Sequence, residues 1–88
     1  MHEGKKAAAL RYDRSLPAPF LLAKGKGELA VKIIALAEKS DIPVYSEQTL
    51  TEALFLLEIG EMIPEDLYEV IALILSYTYG LQEQYENN

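Results

Sequence analysis

Two short runs near the start of the chain have the pattern of β-strands. In residues 7–12 alternate positions are apolar, and residues 20–23 are a compact apolar run. The Pro-Ala-Pro sequence at 17–19 fixes two φ angles and withholds two backbone donors, so it favours a turn between the runs. The pattern predicts an antiparallel hairpin, whose second strand is broken by Gly25 and Gly27.

Three later segments predict helices, because apolar residues recur in them at spacings of three and four. The first covers residues 27–39. The second covers 49–58 with Gly60 as its stop, and the third covers 64–79 with Pro64 in its first turn. The inward faces predicted for the first two helices are Leu29, Ile33, Leu36 and Ala37, and Leu50, Ala53, Leu54 and Leu57.

A further apolar run at residues 42–45 predicts a third short strand. Strand, helix and strand in this order imply a right-handed crossover, with the helix packed on the sheet. We therefore predict an α/β fold of the α+β-like kind, a small mixed three-stranded sheet packed with three to four helices. A chain of 88 residues suits a single domain over 1–88, with flexible ends expected at 1–6 and 82–88.

The last predicted helix is apolar on two neighbouring faces. The expected core stripe consists of Leu67, Val70, Ile71, Ile74 and Leu75. The second stripe consists of Tyr68, Ala72, Leu75 and Tyr79. A terminal helix with such a broad apolar surface is either sandwiched between other elements or lines a groove. An equal alternative to the groove is that the N-terminal hairpin simply covers this surface.

Composition and charge exclude several classes of protein. Half of the residues are hydrophobic and none is cysteine, so a packed core is expected, and disulfides and thiolate metal sites are excluded. No apolar run approaches the roughly 18 residues of a membrane span, so we expect a cytoplasmic chain without membrane insertion. The sequence up to Lys39 holds all eight basic residues. Residues 1–41 also hold five acids, the last of them Asp41, so this part has a net charge of +3. Residues 42–88 hold nine acids and no basic residue.

This charge division has two interpretations. The charges form either a pair of solvated faces or a bipolar surface that orients docking on a larger assembly. A structural adaptor that uses the acidic half is one alternative function. Nucleic-acid binding is not expected, because the basic residues are few and no aromatic residues are interleaved with them.

The sequence offers little for catalysis, so we expect no enzyme, no catalytic residues, no metal and no cofactor. His2 is the one histidine, and no serine lies beside it in a nucleophile motif. The turn Lys24-Gly25-Lys26-Gly27 resembles an anion site, because amides at a helix start and two lysines suit a phosphate. An anion- or nucleotide-sensing module using Lys24 and Lys26 is therefore the second alternative function. The simpler interpretation is a sharp turn with two solvated lysines.

Several short motifs follow one another in a specific order. They are Leu10-Arg11-Tyr12-Asp13, Phe20-Leu21-Leu22-Ala23-Lys24-Gly25, Ile42-Pro43-Val44, Glu58-Ile59-Gly60 and Ile63-Pro64-Glu65. In this order they resemble the soluble C-terminal domain of the FlhB/YscU family, the substrate-specificity switch proteins of flagellar and type III secretion export. In that family an Asn-Pro-Thr-His autocleavage motif precedes the first strand. Here His2-Glu3-Gly4-Lys5 stands at that place, so the resemblance implies a chain that does not cut itself.

The resemblance also implies partners and a binding site. The partners are export-gate proteins, export substrates and a truncated or full-length switch protein, at the inner face of the membrane. In the family, early substrates place a short hydrophobic motif in a recess between an Ala-Pro pair and the last helix. Carried over by matching residues, and joined with the second apolar stripe, the predicted substrate-peptide groove consists of Ala18, Pro19, Tyr68, Ala72, Leu75 and Tyr79.

Overall fold

The computed structural model describes residues 3–13 and 15–76. Its elements in chain order are β1 (Lys6–Arg11), β2 (Phe20–Lys26), α1 (Glu28–Lys39), α2 (Gln48–Phe55), a 3₁₀ turn (Glu65–Leu67) and α3 (Tyr68–Leu75). The predicted α+β class is confirmed. The predicted strand number is wrong, because the sheet in the described part of the chain has two strands.

The two strands form an antiparallel hairpin that contains a β-bulge. Ala9 lies opposite Ala23, but Leu10 lies opposite Leu21, so Leu22 is an extra residue in β2. An extra residue reverses the alternation of side chains beyond it. Leu21 therefore points to the same side of the sheet as Lys24, although the two are three positions apart.

The hairpin packs against a helix on each side. On one side Lys6 and Lys24 reach α2, and on the other side Gly25 lies against α1. The prediction that Gly25 breaks β2 is wrong, because the strand continues to Lys26. A Cβ atom at Gly25 would lie 2.5 Å from Leu29 Cγ, so this glycine lets α1 approach the sheet closely. The strand ends at Gly27, whose φ of 64° favours glycine.

One hydrophobic cluster joins the hairpin, α2, α3 and the loop before it. Its buried members are Ala18, Leu21, Leu50, Leu54, Leu57, Ile63 and Ile71. The predicted inward face of α2 is confirmed, with Ala53 half-buried. For α1 the predicted face is partly right: Ile33 and Ala37 are half-buried, but Leu29 and Leu36 are 52% and 64% exposed, and Ala30 is the fully buried residue.

The loop after α2 completes the framework. The helix ends at Phe55, earlier than predicted, and Gly60 lies in the loop with a φ of 93°. The Gly60 amide donates to the Leu21 carbonyl at 2.7 Å, and the Leu21 amide donates to the Glu61 carbonyl at 2.9 Å. Backbone pairing therefore fixes this loop along the outer edge of β2.

Residues 42–45 do not form the predicted third strand, so the part of the chain that the structure describes contains no strand-helix-strand crossover. The Ile42 amide donates to the Ala37 carbonyl at 2.8 Å, which ties the segment to the end of α1. Its apolar side chains at Ile42, Val44 and Tyr45 are exposed. A strand-type sequence becomes a strand only when another strand lies beside it, and β1 lies across a groove from this segment. Among the described residues, none of the helices has the length and apolar content needed to cross a membrane.

Candidate functional site

The Ala-Pro pair of the predicted substrate-peptide groove lies inside the protein. Ala18 is 3% exposed and belongs to the buried cluster that also contains Ile71 of α3. Pro19 is buried too, and its carbonyl accepts a hydrogen bond from the Ile63 amide at 2.9 Å. Ala18 and Pro19 thus lie in the core next to α3. They support this helix from beneath and are not part of the surface.

The outer side of α3 is open and apolar. Four residues form this side, which we call the exposed α3 surface: Tyr68, Val70, Ala72 and Leu73. Tyr68 is 44% exposed and Leu73 is 58% exposed, and Glu69 is the charged residue among them. Two predicted groove residues, Tyr68 and Ala72, are therefore accessible. The side chain of Leu75 and the whole of Tyr79 lie outside the described part.

The predicted anion turn has a different local structure. Lys24 lies within β2, and its Nζ donates to the carbonyl oxygens of Phe55 at 2.9 Å and Leu57 at 2.7 Å. These carbonyls lie at the C-terminal end of α2, where the helix dipole favours a cation. Lys24 therefore holds α2 to the hairpin. Lys26 is exposed, and an anion site at this turn remains a prediction.

Lys6 makes a second link between the hairpin and α2. Its Nζ lies 2.6 Å from Glu52 Oε1 and 5.4 Å from the centre of the Phe55 ring. Lys24 Nζ lies 5.5 Å from the same ring centre. Two basic side chains of the hairpin thus surround one aromatic ring, an arrangement that cation–π attraction stabilises.

The turn that opens the β1–β2 connection is stabilised by a carboxylate. The backbone amide and the hydroxyl of Ser15 both donate to Asp13 Oδ1 at 2.9 Å. These hydrogen bonds, the backbone one first, hold the pKa of Asp13 below its usual value. The carboxylate has a structural role here.

A groove of about 380 Å³ was not predicted from the sequence. It lies between β1 and residues 42–45, with α1 on one side and α2 on the other, and Ile71 and Ile74 of α3 also line it. Its volume falls within the roughly 300–1,000 Å³ usual for binding pockets. Its principal lining residues are Ala7, Ala9, Leu10, Ile33, Ile34, Ala37, Ile42, Val44, Leu50 and Leu54. The signal in the sequence was the strand-type run at 42–45, for which the described residues offer no adjacent strand.

The described residues contain no group of three or more His, Asp or Glu side chains arranged to hold a metal ion. What the molecule offers instead is apolar surface, on α3 and in the groove, supported by a small rigid framework. Fold and surface together define a small α+β domain with exposed apolar surface.

The FlhB HrpN YscU SpaS family matches residues 5–78, so the chain belongs to this family, as the sequence motifs predicted. Among its relatives is the uncharacterized protein YlqH of Bacillus subtilis, 42% identical over 84 residues that cover 94% of this chain and 90% of YlqH. The flagellar biosynthetic protein FlhB of Bacillus subtilis is 36% identical over 80 residues, 89% of this chain and 22% of FlhB. The chain thus spans about a fifth of the FlhB relatives and nearly the whole of YlqH.

Two solved structures share the fold. The crystal structure of the PscU C-terminal domain matches with a TM-score of 0.79 at 30% identity, covering 85% of this chain and 98% of that one. The cytoplasmic domain of FlhB from Shewanella putrefaciens matches with a TM-score of 0.79 at 29% identity, covering 93% and 69%.

Proposed function

We propose that this chain is a non-enzymatic module of flagellar or type III protein export, which docks at the export gate and binds export subunits. Family membership supports an export-related role, because the relatives with assigned names are flagellar biosynthetic proteins. The module works at the inner face of the membrane, where it replaces or competes with the C-terminal domain of a full-length switch protein.

The exposed α3 surface is the observation that carries the binding proposal. The four residues of the exposed α3 surface are accessible and apolar or aromatic, while Ile71 anchors the helix in the core. Exposed apolar surface on a small domain favours association with a partner. Ala18 and Pro19 support the helix from below, so the bound motif contacts Tyr68, Ala72 and Leu73 rather than the Ala-Pro pair itself.

A binding measurement tests the α3 surface. Burying a leucine side chain in an interface contributes about 1.5–3 kcal/mol, so Leu73→Asp should weaken binding of a rod- or hook-subunit N-terminal peptide by roughly ten- to a hundred-fold. Leu56→Asp is the matched control, because Leu56 is 86% exposed and lies outside α3. Equal affinities of the two variants, with both folded, would refute a role for α3.

A secretion assay tests the wider role. Early export subunits are measured in a cell whose full-length switch protein ends before its cleavage motif, with and without this chain. Restored secretion would support a module that replaces the missing domain. In a second strain with the intact switch protein, reduced secretion on overexpression would support competition. No effect in either strain would refute the export role.

A further inference from the structure

A carboxylate lies in the middle of the exposed α3 surface. On an α-helix the neighbours of a residue are the positions three and four residues along the chain. For Glu69 these neighbours are Ala72 and Leu73, one on each side of it, and all three residues are exposed. Successive residues are about 100° apart around the helix axis, so Ile71 is on the opposite side, where it is buried. Glu69 is therefore surrounded by accessible apolar side chains.

The place of Glu69 near the start of α3 has a structural explanation as well. The helix dipole favours a carboxylate in the first turn, and Glu69 is in that turn. Glu65 and Asp66 lie in the 3₁₀ turn directly before the helix and provide negative charge at the same end. The dipole thus favours an acid in this region, but it does not require one among the apolar residues of the outer side.

The surrounding sequence has the same sign of charge as Glu69. Residues 42–88 contain nine acids and no basic residue, so neither α3 nor the loop before it provides a cation for this carboxylate. A bound segment with only apolar side chains would take Glu69 out of water without a partner, which is unfavourable. A basic side chain in the segment would pair with it instead. Charge complementarity therefore selects the segment that fits.

We propose that Glu69 makes the exposed α3 surface selective for export-subunit segments that carry a lysine or arginine between two apolar side chains. The inference rests on the proposed function and adds the charge of the bound segment to it. One apolar side chain of the segment contacts Tyr68 and Ala72, and the other contacts Leu73. The cation between them pairs with the Glu69 carboxylate. A segment with an acid at this place is rejected, because like charges meet.

This selectivity differs from the general attraction between an acidic chain and a basic peptide. The net charge of −6 attracts cations over about 10 Å at 0.1 M ionic strength, wherever they approach the surface. Contact selectivity depends on one carboxylate. Glu38 provides the comparison, since it is exposed on α1 and its replacement by glutamine changes the net charge by the same amount.

Three synthetic peptides test the selectivity on the full chain. They are acetyl-Ser-Phe-Ser-Lys-Ser-Leu-Ser-amide and the same sequence with glutamine or glutamate in place of lysine. In an extended peptide the phenylalanine, the central residue and the leucine point to one side. Each peptide is titrated into isotope-labelled protein while amide resonances are followed. We expect the lysine peptide to bind about three- to tenfold more tightly than the glutamine peptide, and the glutamate peptide to bind most weakly.

Variants of the chain test whether Glu69 causes this ranking. Glu69→Gln should abolish the preference for the lysine peptide over the glutamine peptide, whereas Glu38→Gln should retain it. Glu69→Lys should reverse the ranking, so that the glutamate peptide binds more tightly than the lysine peptide. A carboxylate that only stabilises the start of α3 would change helix stability when replaced, but not the ranking of the peptides. Circular dichroism of each variant checks that the fold is intact.

The outcomes separate this inference from the proposed function. Equal affinities of the lysine and glutamine peptides, or an unchanged preference in Glu69→Gln, would overturn the inference. If Leu73→Asp still weakens the glutamine peptide in that case, binding at the exposed α3 surface stands and the selectivity alone is wrong. No binding of any of the three peptides, or binding that Leu73→Asp does not weaken, would overturn both.

Discussion

The ammonium group of Lys24 stabilises the junction between the hairpin and α2, and its removal is the most informative perturbation of the fold. Lys24→Met keeps most of the aliphatic stem and deletes the charge. The variant loses two hydrogen bonds, to Phe55 at 2.9 Å and Leu57 at 2.7 Å, and the contact with the Phe55 ring. Bonds from a charged donor contribute about 1.5–3 kcal/mol each, and a cation–π contact about 0.5–1 kcal/mol.

The expected loss is smaller than the sum of these contributions, because the site is only part-buried and water replaces some of the lost bonding. We expect Lys24→Met to lower the free energy of unfolding by about 2–3 kcal/mol. Urea unfolding followed by circular dichroism measures it. Lys26→Met is the matched control, since Lys26 is exposed on the same side of β2, and it should change stability by less than about 0.5 kcal/mol. Equal losses in both variants would refute the structural role of Lys24.

Two further predictions concern the ends of the hairpin. Gly25→Ala should lower the free energy of unfolding by about 1–3 kcal/mol, because the Cβ of the new alanine would lie 2.5 Å from Leu29 Cγ. Thermal unfolding measures the loss. Gly4→Ala, which meets nothing within 4 Å, should leave the midpoint unchanged, and a matching drop there would contradict a steric cause. Because Ser15 lowers the pKa of Asp13, the stabilisation of their turn is present above the unfolded-state pKa and is lost as the pH falls through the folded-state pKa. In an NMR titration, the chemical shift of the Ser15 amide should change with a midpoint below the pH at which an unperturbed aspartate titrates. A midpoint at the usual value would disprove the link between the Asp13 carboxylate and the turn.

The helical segments show how far periodicity predicts packing. In α2 the apolar residues form one narrow stripe, and the predicted face with Leu50 and Leu54 is the buried one. In α1 most positions from 29 to 37 are apolar, so spacing alone does not select a face. The packing partners select it: Leu29 and Ile33 lie against Gly25 of the sheet, while Ala30 is fully buried and Leu36 is exposed.

Features that depend on distant parts of the chain were less predictable. Residues 42–45 have a strand-type sequence, but pairing depends on whether another strand lies beside them. The burial of Pro19 depends on the loop that brings the Ile63 amide to its carbonyl. For the candidate site, the sequence identified Tyr68 and Ala72 as members of an apolar stripe on the last helix. The groove beside β1 needs four separate segments to meet, and no local pattern encodes that.

The bulge at Leu22 has a consequence for how this segment tolerates changes of length. Deleting Leu22 would restore regular pairing and leave Leu21 opposite Leu10, facing the hydrophobic cluster as before. An insertion in the regular part of the ladder, between Ala23 and Lys26, has the opposite effect: unless a second bulge absorbs it, every side chain on one side of the insertion changes face, and no single substitution repairs that exchange. Among natural variants of this domain, the loss of one residue at the bulge should therefore be tolerated, whereas insertions should be rare between Ala23 and Lys26. They should concentrate in the turn before Pro17, where the chain can lengthen without altering the pairing.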